Sequence, residues 1–384
     1  MNMSNRGLLL SLCPALLLAC AETPASPPEL EEALSDFGGQ RGVRVMTQNM
    51  YVGLDVLPLA FAPFDQLPFA VADGFDDVLA NRPEDRIDAM ANQIALTRPH
   101  LIGLQEVTRL YEQTPSDTMT GVFTPNATDE LIDFLAVLLD ELARRGLVYE
   151  VAAERIGTDI EVPRFDGVVD GVETFSDLRA TFADVVLRRA GVETTPLLAQ
   201  DFAAALPFPP IPGTLVRRSA VGVVARLGGR EVRVVNTHLE VIVDVLPDDL
   251  QPQFVQVAEL TELLATDFRP ELPTIVLGDF NSPAETGRSY QAMVAAGYAD
   301  VWTESLAGDL PGFTCCQDAV LTSPESALFE RIDQIWTRGL TLEQPTLAFT
   351  VGDLPFFRTL GKPRLWPSDH AGVVALLRFR AAVR

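Results

Sequence analysis

The sequence is short of positive charge. Lysine and arginine together number 29 against 53 aspartate and glutamate residues, which leaves a net charge of −24 at pH 7. Proteins that hold nucleic acid or an anionic bilayer through charge need basic residues to neutralise the phosphates. The deficit therefore disfavours nucleic acid as a partner, and it argues against a bilayer surface held by charge alone.

Cysteine is also scarce. Four cysteines in 384 residues exclude a small scaffold held together by disulfide bonds. After residue 20 only the adjacent pair Cys315 and Cys316 remains, and a trans peptide resists a bond between neighbouring cysteines. We expect a reduced, buried pair, with a disulfide between the two as the alternative. A zinc site is disfavoured because no other cysteine is available to join them.

No hydrophobic run reaches the length of about 20 residues that a transmembrane helix needs. Gly7 to Ala19 form an apolar run that instead matches the central region of a signal peptide. The run continues into Leu17-Leu18-Ala19-Cys20, which resembles a bacterial lipobox, where the cysteine is lipidated and becomes the first residue. We therefore expect residues 1–20 to be a lipoprotein signal peptide, with a lipid on Cys20 anchoring the protein to a membrane outside the cytoplasm. An ordinary secretory signal is the alternative.

The rest of the chain has the composition of a folded protein. Residues 21–42 are rich in proline and glutamate and predict a tether. Hydrophobic residues at 47% exclude a disordered protein, and the length is sufficient to bury a large core. We expect a single domain over residues 43–384 and a monomer.

Short β-rich runs alternate with helical segments beyond residue 42. Apolar residues at helical spacing predict helices that begin at Pro83 and Thr128, and a third around Phe254. Gly228-Gly229 predicts a hairpin between two strands. The predicted strands cover residues 43–49, 101–105, 182–187, 220–226, 231–237, 274–277, 332–336 and 372–379.

Polar side chains cluster at the ends of these strands. Four strands are expected to end at such a cluster, a fifth strand to begin at one, and a sixth strand to come directly after one. In chain order the clusters are Gln48-Asn49, Gln105-Glu106, Asn236-Thr237-His238, Gly278-Asp279-Phe280-Asn281, Arg331-Ile332-Asp333 and Ser368-Asp369-His370. Ligand sites in layered α/β folds gather at strand ends. If the strand ends meet, one pocket contains four carboxylates, two asparagine amides and two of the three histidines. These are Glu106, Asp279, Asp333, Asp369, Asn49, Asn281, His238 and His370.

The chemistry of such a pocket points to a metal ion and a phosphate. Clustered carboxylates raise one another's pKa unless a cation lies among them. Oxygen ligands select a hard ion such as Mg²⁺, Mn²⁺ or Ca²⁺. A hard ion and an imidazolium neutralise charge that grows on phosphate oxygens, while a carboxylate or histidine deprotonates the attacking water.

These segments resemble the motifs of the endonuclease/exonuclease/phosphatase superfamily. They occur in the family's order and run from Met46-Thr47-Gln48-Asn49 to Ser368-Asp369-His370. The resemblance implies a four-layer α/β sandwich with two mixed β-sheets packed face to face and helices outside. It also implies a metal-dependent phosphoric ester hydrolase, with residues 43–384 as its catalytic domain. A histidine at position 238 is typical of the deoxyribonuclease and sphingomyelinase branches.

The resemblance assigns the metal site to Asn49, Glu106 and Asp369. Glu106 is the expected principal ligand, and Asp369 matches a second acidic residue at the metal or water site. The expected ion is Mg²⁺, with Mn²⁺ or Ca²⁺ as alternatives.

The resemblance assigns the catalytic roles to five further residues. Asp279 and Asn281 match the pair that activates water and holds the phosphate. Asp333 matches the carboxylate that orients His370. His238 matches the histidine that stabilises or protonates the leaving oxygen. Which residue acts as the general base stays open.

Other polar residues have less certain interpretations. His100 is expected to be structural. Asp184 either lies near the site or pairs with a following arginine, and Arg217-Arg218 either grips a substrate phosphate or forms a solvated strand edge. The expected function is hydrolysis of a small or lipid phosphoester outside the cytoplasm. An exported nuclease and an inactive surface-binding lipoprotein are the alternatives.

The segment from Tyr51 to Phe75 is unusually apolar. Leucine and phenylalanine recur along it between prolines, and it follows directly after Asn49. It is expected either to cover the sandwich as a buried insertion or to form an apolar lip beside the site. A lip of this kind would suit a lipid phosphodiester.

Overall fold

The computed structural model describes residues 42–266, 269–343 and 346–380. The predicted signal peptide, the lipid attachment site at Cys20 and nearly all of the predicted tether lie outside these ranges. Among the helices within them, none combines the length and the apolar character needed to cross a bilayer.

The first β-sheet has seven strands and mixed strand directions. Its spatial order is β14 (Leu347–Val351), β15 (Gly372–Arg378), β1 (Gly42–Asn49), β2 (Leu101–Gln113), β5 (Val172–Arg189) and β4 (Tyr149–Val169), with β3 (Asp129–Asp133) paired to β2. Strand β1 runs parallel to β2 and antiparallel to β15.

The second sheet has six strands and is also mixed. Its spatial order is β12 (Ala299–Asp300), β13 (Asp333–Arg338), β11 (Thr274–Asp279), β10 (Arg230–His238), β9 (Ser219–Leu227) and β6 (Thr194–Asp201). Strands β10 and β11 are parallel, and the Gly228-Gly229 turn joins β9 to β10 as an antiparallel hairpin. A separate small ribbon pairs β7 (Leu206–Pro207) with β8 (Leu215–Val216).

Six α-helices lie in the described ranges. They are α1 (Leu57–Ala60), α2 (Leu67–Ala80), α3 (Pro83–Thr97), α4 (Phe134–Arg144), α5 (Pro252–Thr266) and α6 (Arg288–Ala295). Single 3₁₀ turns occur at Thr118–Thr120, Asp248–Leu250 and Pro355–Phe357.

The two sheets pack face to face between two helical layers. Alternate residues of one strand point to opposite faces, so Val45 enters the core between the sheets while Met46 packs under α3 and α4. In the second sheet Leu277 enters the same central core, whereas Val276 packs under α5 and α6. This is the four-layer sandwich expected from the sequence.

A buried polar bridge crosses the core between the sheets. The side chain of Gln105 donates to Oδ1 of Asn236 at 2.6 Å, and Asn236 donates to the backbone carbonyls of Leu104 and Val185. A Cβ atom on Gly103 would lie 2.5 Å from Asn236 Oδ1, so the bridge requires glycine there. Because every partner is buried, the bridge fixes how the two sheets align.

Several element boundaries differ from the sequence expectation. Strand β5 covers Val172–Arg189, where only residues 182–187 were predicted. Strand β2 does not stop at Gln105 but continues to Gln113, because β5 pairs with it along its whole length. Helix α4 begins at Phe134 and not at Thr128. Its N-cap is Asp133, whose carboxylate accepts from the backbone N–H groups of residues 135 and 136, and residues 129–133 form β3 instead.

Candidate active site

Strand register brings three of the predicted site residues into one row of the second sheet. His238 at the end of β10 is the register partner of Asp279 at the end of β11. Asp279 in turn is the partner of Asp333, the first residue of β13. Side chains at matching register positions lie on the same face of a sheet. The imidazole of His238 and the carboxylates of Asp279 and Asp333 therefore form one row.

The first sheet contributes Asn49 and Glu106. Asn49 ends β1, and its Nδ2 donates to Glu106 Oε1 at 2.9 Å and to Asp279 Oδ2 at 3.1 Å, so one amide links both sheets. Glu106 lies at a register shift in the β2–β5 ladder and has a left-handed backbone with φ of 54°. Such a bulge redirects the side chain, which explains how Glu106 reaches the site from mid-strand.

The segment before β15 supplies the remaining predicted residues. Ser368 donates from its hydroxyl to the backbone carbonyl of Asn49 at 2.9 Å, which anchors the segment beneath the site. Nδ1 of His370 lies 2.8 Å from Asp333 Oδ2 and 3.8 Å from Asp279 Oδ2. Nε2 of the same ring lies 3.9 Å from Asp369 Oδ1.

A second imidazole lies on the other side of Asp279. Nε2 of His238 is 3.6 Å from Asp279 Oδ2 and 3.2 Å from Nδ2 of Asn281. Asn281 is held by the bond from its backbone N–H to Asp279 Oδ1 at 2.8 Å and by donation from its amide to the carbonyl of Leu239. Every predicted site residue is therefore joined, directly or through one neighbour, to Asp279.

The buried charges of the site shift one another's pKa values. Burial raises the pKa of Asp279 to about 7, assisted by the neighbouring charge of Asp333. Burial and the charge of Glu106 raise the pKa of Asp369 to about 6, against the opposing effect of His370. Burial alone would lower the pKa of His370, but the carboxylates of Asp333, Asp369 and Asp279 outweigh it and hold this pKa well above the ordinary value.

His238 behaves in the opposite way. Burial, the charge of Arg218 and the charge of His370 lower the pKa of His238 well below its ordinary value. Nη1 of Arg218 lies 2.9 Å from Nδ1 and 3.2 Å from Nε2 of His238, and because a guanidinium can only donate, it favours a neutral ring. The site therefore holds one cationic and one neutral histidine.

Comparison with known proteins identifies the family. The family model described as "Endonuclease/Exonuclease/phosphatase family" matches residues 46–370. The chain belongs to the endonuclease/exonuclease/phosphatase family. Its members are metal-dependent phosphoester hydrolases, and the chain is accordingly an enzyme of that kind. The resemblance of the strand-end motifs to this family is confirmed.

Solved structures show the same fold. An endonuclease/exonuclease/phosphatase family protein from Bacteroides thetaiotaomicron has a TM-score of 0.50 at 17% identity, covering 88% of this chain and 98% of its own. The family member from Beutenbergia cavernae DSM 12333 shares 22% identity with a TM-score of 0.47, over 89% and 72% of the two chains. A mannosyl-6-phosphatase from Bacteroides thetaiotaomicron VPI-5482 shares 18% identity with a TM-score of 0.47, over 88% and 100%. None of the curated proteins matches the chain.

The donor set of the site fits a hard divalent cation. Glu106 and Asp369 present carboxylate oxygens, while Asn49 turns its amide nitrogen toward Glu106 because its Oδ1 accepts from the N–H of Tyr51. Asp279, Asp333 and His370 have ligand atoms within 4.8 Å of one another. Oδ1 of Asp333 is buried without a hydrogen-bond partner. Burial, with a smaller effect of neighbouring carboxylates, raises the pKa values of Asp279 and Asp369, and a bound cation would favour their ionised forms.

Two arginines support the site; the sequence analysis left the role of Arg218 open and missed Arg86. Arg218, for which a solvated strand edge was the favoured interpretation, instead lies in the site, where Glu240 accepts two bonds from its guanidinium at 2.9 and 3.1 Å. Arg86 of α3 is completely buried beneath the site and donates to the backbone carbonyls of residues 50, 51, 81 and 367. Neither residue lies in a motif, so no local signal identifies it.

Two other residues are also settled by the structure. Asp184 lies against the site rather than with a following arginine. It accepts from the hydroxyl of Ser219, and burial raises its pKa to about 7. His100 is structural as expected, because its Nδ1 accepts from the backbone N–H of Arg44 at 3.0 Å, at the opposite ends of the strands β1 and β2 from the site.

The adjacent cysteines differ from expectation. Cys315 and Cys316 are joined as a disulfide, whereas a reduced pair was predicted. The segment that carries them pairs with the end of the Ser368–His370 segment, since the N–H of Gln317 donates to the carbonyl of Asp369 at 2.8 Å.

Proposed function

We propose that the protein is an exported, divalent-metal-dependent phosphoesterase in which water attacks the phosphorus of a small or lipid phosphoester in line with the leaving oxygen. The observation that carries the proposal is the convergence on Asp279, whose Oδ2 lies within 4 Å of Asn49, His238 and His370. A carboxylate, a cationic imidazole and a neutral imidazole around one point are the groups that phosphoryl transfer to water needs.

Glu106 and Asp369 are the residues that would hold the metal ion, and Asn49 would support it by holding Glu106. When bound, a divalent ion supplies positive charge to phosphate oxygens and binds them. The hydrogen bonds from Asn49 Nδ2 and from the backbone N–H of Val52 orient the Glu106 carboxylate for that purpose.

The two histidines have different roles in this proposal. His370, held by Asp333 and kept protonated, places a positive charge where negative charge develops on the phosphate. His238 is kept neutral, so it adds no positive charge and contacts the leaving oxygen as a hydrogen-bonding group. Paired groups whose environments push their pKa values apart are typical of acid–base sites.

Asp279 is the proposed general base. Its pKa of about 7 lets the carboxylate take a proton from water near neutral pH, and Oδ2 is the atom that receives it. Asn281 adds hydrogen-bonding capacity beside the same point without adding charge.

The test of this function is a substrate panel. Purified protein with Mg²⁺ or Mn²⁺ is assayed against bis-p-nitrophenyl phosphate, sphingomyelin-type lipid vesicles and supercoiled plasmid DNA. We expect metal-dependent release of p-nitrophenol and turnover of the lipid that exceeds nicking of DNA. Faster nicking of DNA would favour the nuclease, and no turnover of any substrate with either metal would contradict the proposed function.

Location outside the cytoplasm is a separate proposal, supported by the lipobox-like Leu17-Leu18-Ala19-Cys20. Expression of the full chain in bacteria with radiolabelled palmitate should give a labelled, membrane-bound protein. The Cys20→Ala variant should lose the label. Equal labelling of both forms, or recovery of the unprocessed chain from the cytoplasm, would contradict lipidation.

A further inference from the structure

An apolar cavity of about 190 Å³ opens beside the phosphate site. Its walls come from α2, from the segment between β1 and α2, and from β4 and β5. Glu106, Thr158 and Arg218 are the polar residues among its lining, and the rest is almost entirely aliphatic with a few phenylalanines. A cavity of roughly 150 Å³ with apolar walls is sufficient to bind a benzene ring, so this cavity is large enough for an apolar group of at least that size.

The cavity shares two side chains with the site. Glu106 lines it on one side and accepts from Asn49 on the other. Arg218 also lines it while contacting His238 at 2.9 Å. An organic group attached to a phosphate between Asn49 and His238 therefore has a direct path into the cavity. The lining residue Val56 is 47% exposed, so the cavity also reaches the surface.

Gly74 keeps the cavity open. It lies inside α2, where glycine costs a helix about 1 kcal/mol relative to alanine. No close contact requires it, because a Cβ atom there would meet Leu54 and Leu59 at ordinary distances of 3.5 and 3.9 Å. The missing side chain therefore leaves space in the cavity rather than relieving a clash.

We propose that this cavity binds the alkyl chain of the substrate, so that the natural substrate is an amphiphilic phosphoester with an aliphatic chain on its ester oxygen. The inference rests on the proposed function and narrows its substrate class. The aliphatic lining matches the hydrocarbon part of such a ligand, and Arg218 at the phosphate side matches its anionic head. A sugar or nucleoside in the same place would leave its hydroxyl groups without hydrogen-bond partners.

The experiment uses phosphoesters whose chain length varies while the head stays constant. Methyl, butyl and octyl esters of glycerol phosphate, and the matching monoesters, are assayed with Mg²⁺ below their aggregation concentrations. Burial of each methylene should raise kcat/KM about fourfold until the cavity is full. The Gly74→Leu variant should reduce the octyl-to-methyl ratio at least tenfold, and Gly74→Ala should reduce it less. Ala80→Leu, on the exposed end of the same helix, is the matched control and should keep the wild-type ratio.

Binding of phosphonates separates failure of the inference from failure of the function. Methylphosphonate and octylphosphonate have no ester bond to cleave and are titrated by calorimetry with Mg²⁺ and with EDTA. The wild type should bind octylphosphonate at least tenfold more tightly than methylphosphonate. The Gly74→Leu variant should bind the two equally, while its melting temperature shows that it is folded. If no ester is turned over but octylphosphonate still binds more tightly than methylphosphonate, the proposed function alone is overturned. Equal binding of the two phosphonates, or equal kcat/KM along the series, would overturn the alkyl-binding cavity.

Discussion

Nδ1 of His370 lies 2.8 Å from Oδ2 of Asp333, and both side chains are buried. An ionised carboxylate can only accept, so Nδ1 donates and the ring orientation is fixed. The other ring nitrogen then faces Asp369 across 3.9 Å. This pair explains how a buried histidine keeps a positive charge that burial alone would remove.

The first prediction concerns that charge. His370→Ala and Asp333→Asn should each lower kcat/KM for bis-p-nitrophenyl phosphate by about 10²–10⁴-fold, the usual contribution of a positioned acid or base. The control is His100→Gln, which changes a histidine that bonds the backbone of Arg44 away from the site. Wild-type rates in either site variant would show that the pair takes no part in catalysis.

The second prediction concerns Arg218. Arg218→Met removes the guanidinium that contacts His238 and pairs with Glu240, and it leaves that buried carboxylate without its partner. We expect kcat/KM to fall at least tenfold and the pKa of His238 to rise, since a neighbouring positive charge is lost. Arg226→Met, at an exposed position on strand β9, which begins directly after Arg218, should change neither quantity. The His238 pKa is followed by NMR titration of the imidazole, and an unchanged value would refute the contact.

The third prediction concerns Arg86. Replacement by methionine leaves four buried backbone carbonyls without their donor, and each unsatisfied group costs about 1–3 kcal/mol. We expect Arg86→Met to lower the free energy of unfolding by at least about 3 kcal/mol in urea denaturation. Arg144→Met, whose side chain is 69% exposed, should change it by less than about 0.5 kcal/mol. Equal stability of the two variants would contradict a structural role for Arg86.

Strand register explains why so much of the site was predictable. His238, Asp279 and Asp333 lie at strand ends, and once the strands pair, their register alone brings the three together. The four-layer fold was predicted because the motifs resemble those of the family.

Other features depend on contacts that no local pattern records. The partners of Arg86 include a carbonyl 281 residues away, and Glu106 reaches the site through a bulge with a left-handed backbone that its sequence does not signal. The start of α4 at Phe134 was also missed, because pairing of residues 129–133 with β2 overrides their helical spacing.

The fourth prediction concerns acid sensitivity. Burial and the charges of Arg189 and Arg44 lower the pKa of His100 from its ordinary 6.5 to about 4, so the folded protein holds this ring neutral. In the unfolded chain His100 binds a proton below about pH 6.5, whereas in the folded protein it binds one only below about pH 4. The free energy of unfolding therefore falls as the pH drops through this window, by at most about 1.4 kcal/mol per pH unit from this group.

The check is the slope of stability against pH between 6.5 and 4.5, measured by urea denaturation. His100→Gln cannot take up a proton and should have a shallower slope than the wild type. Identical slopes would mean that His100 is protonated equally in the folded and unfolded states.

The most direct test of the account is anomalous diffraction from crystals soaked with Mn²⁺, an ion that oxygen ligands accept in place of Mg²⁺. The account predicts a peak in coordinating distance of the Glu106 carboxylate, beside Asn49 and Asp369, and loss of that peak in Glu106→Gln crystals. A peak confined to another acidic group, such as Asp117 with Glu161 and Asp177, or no peak near Glu106, would contradict it.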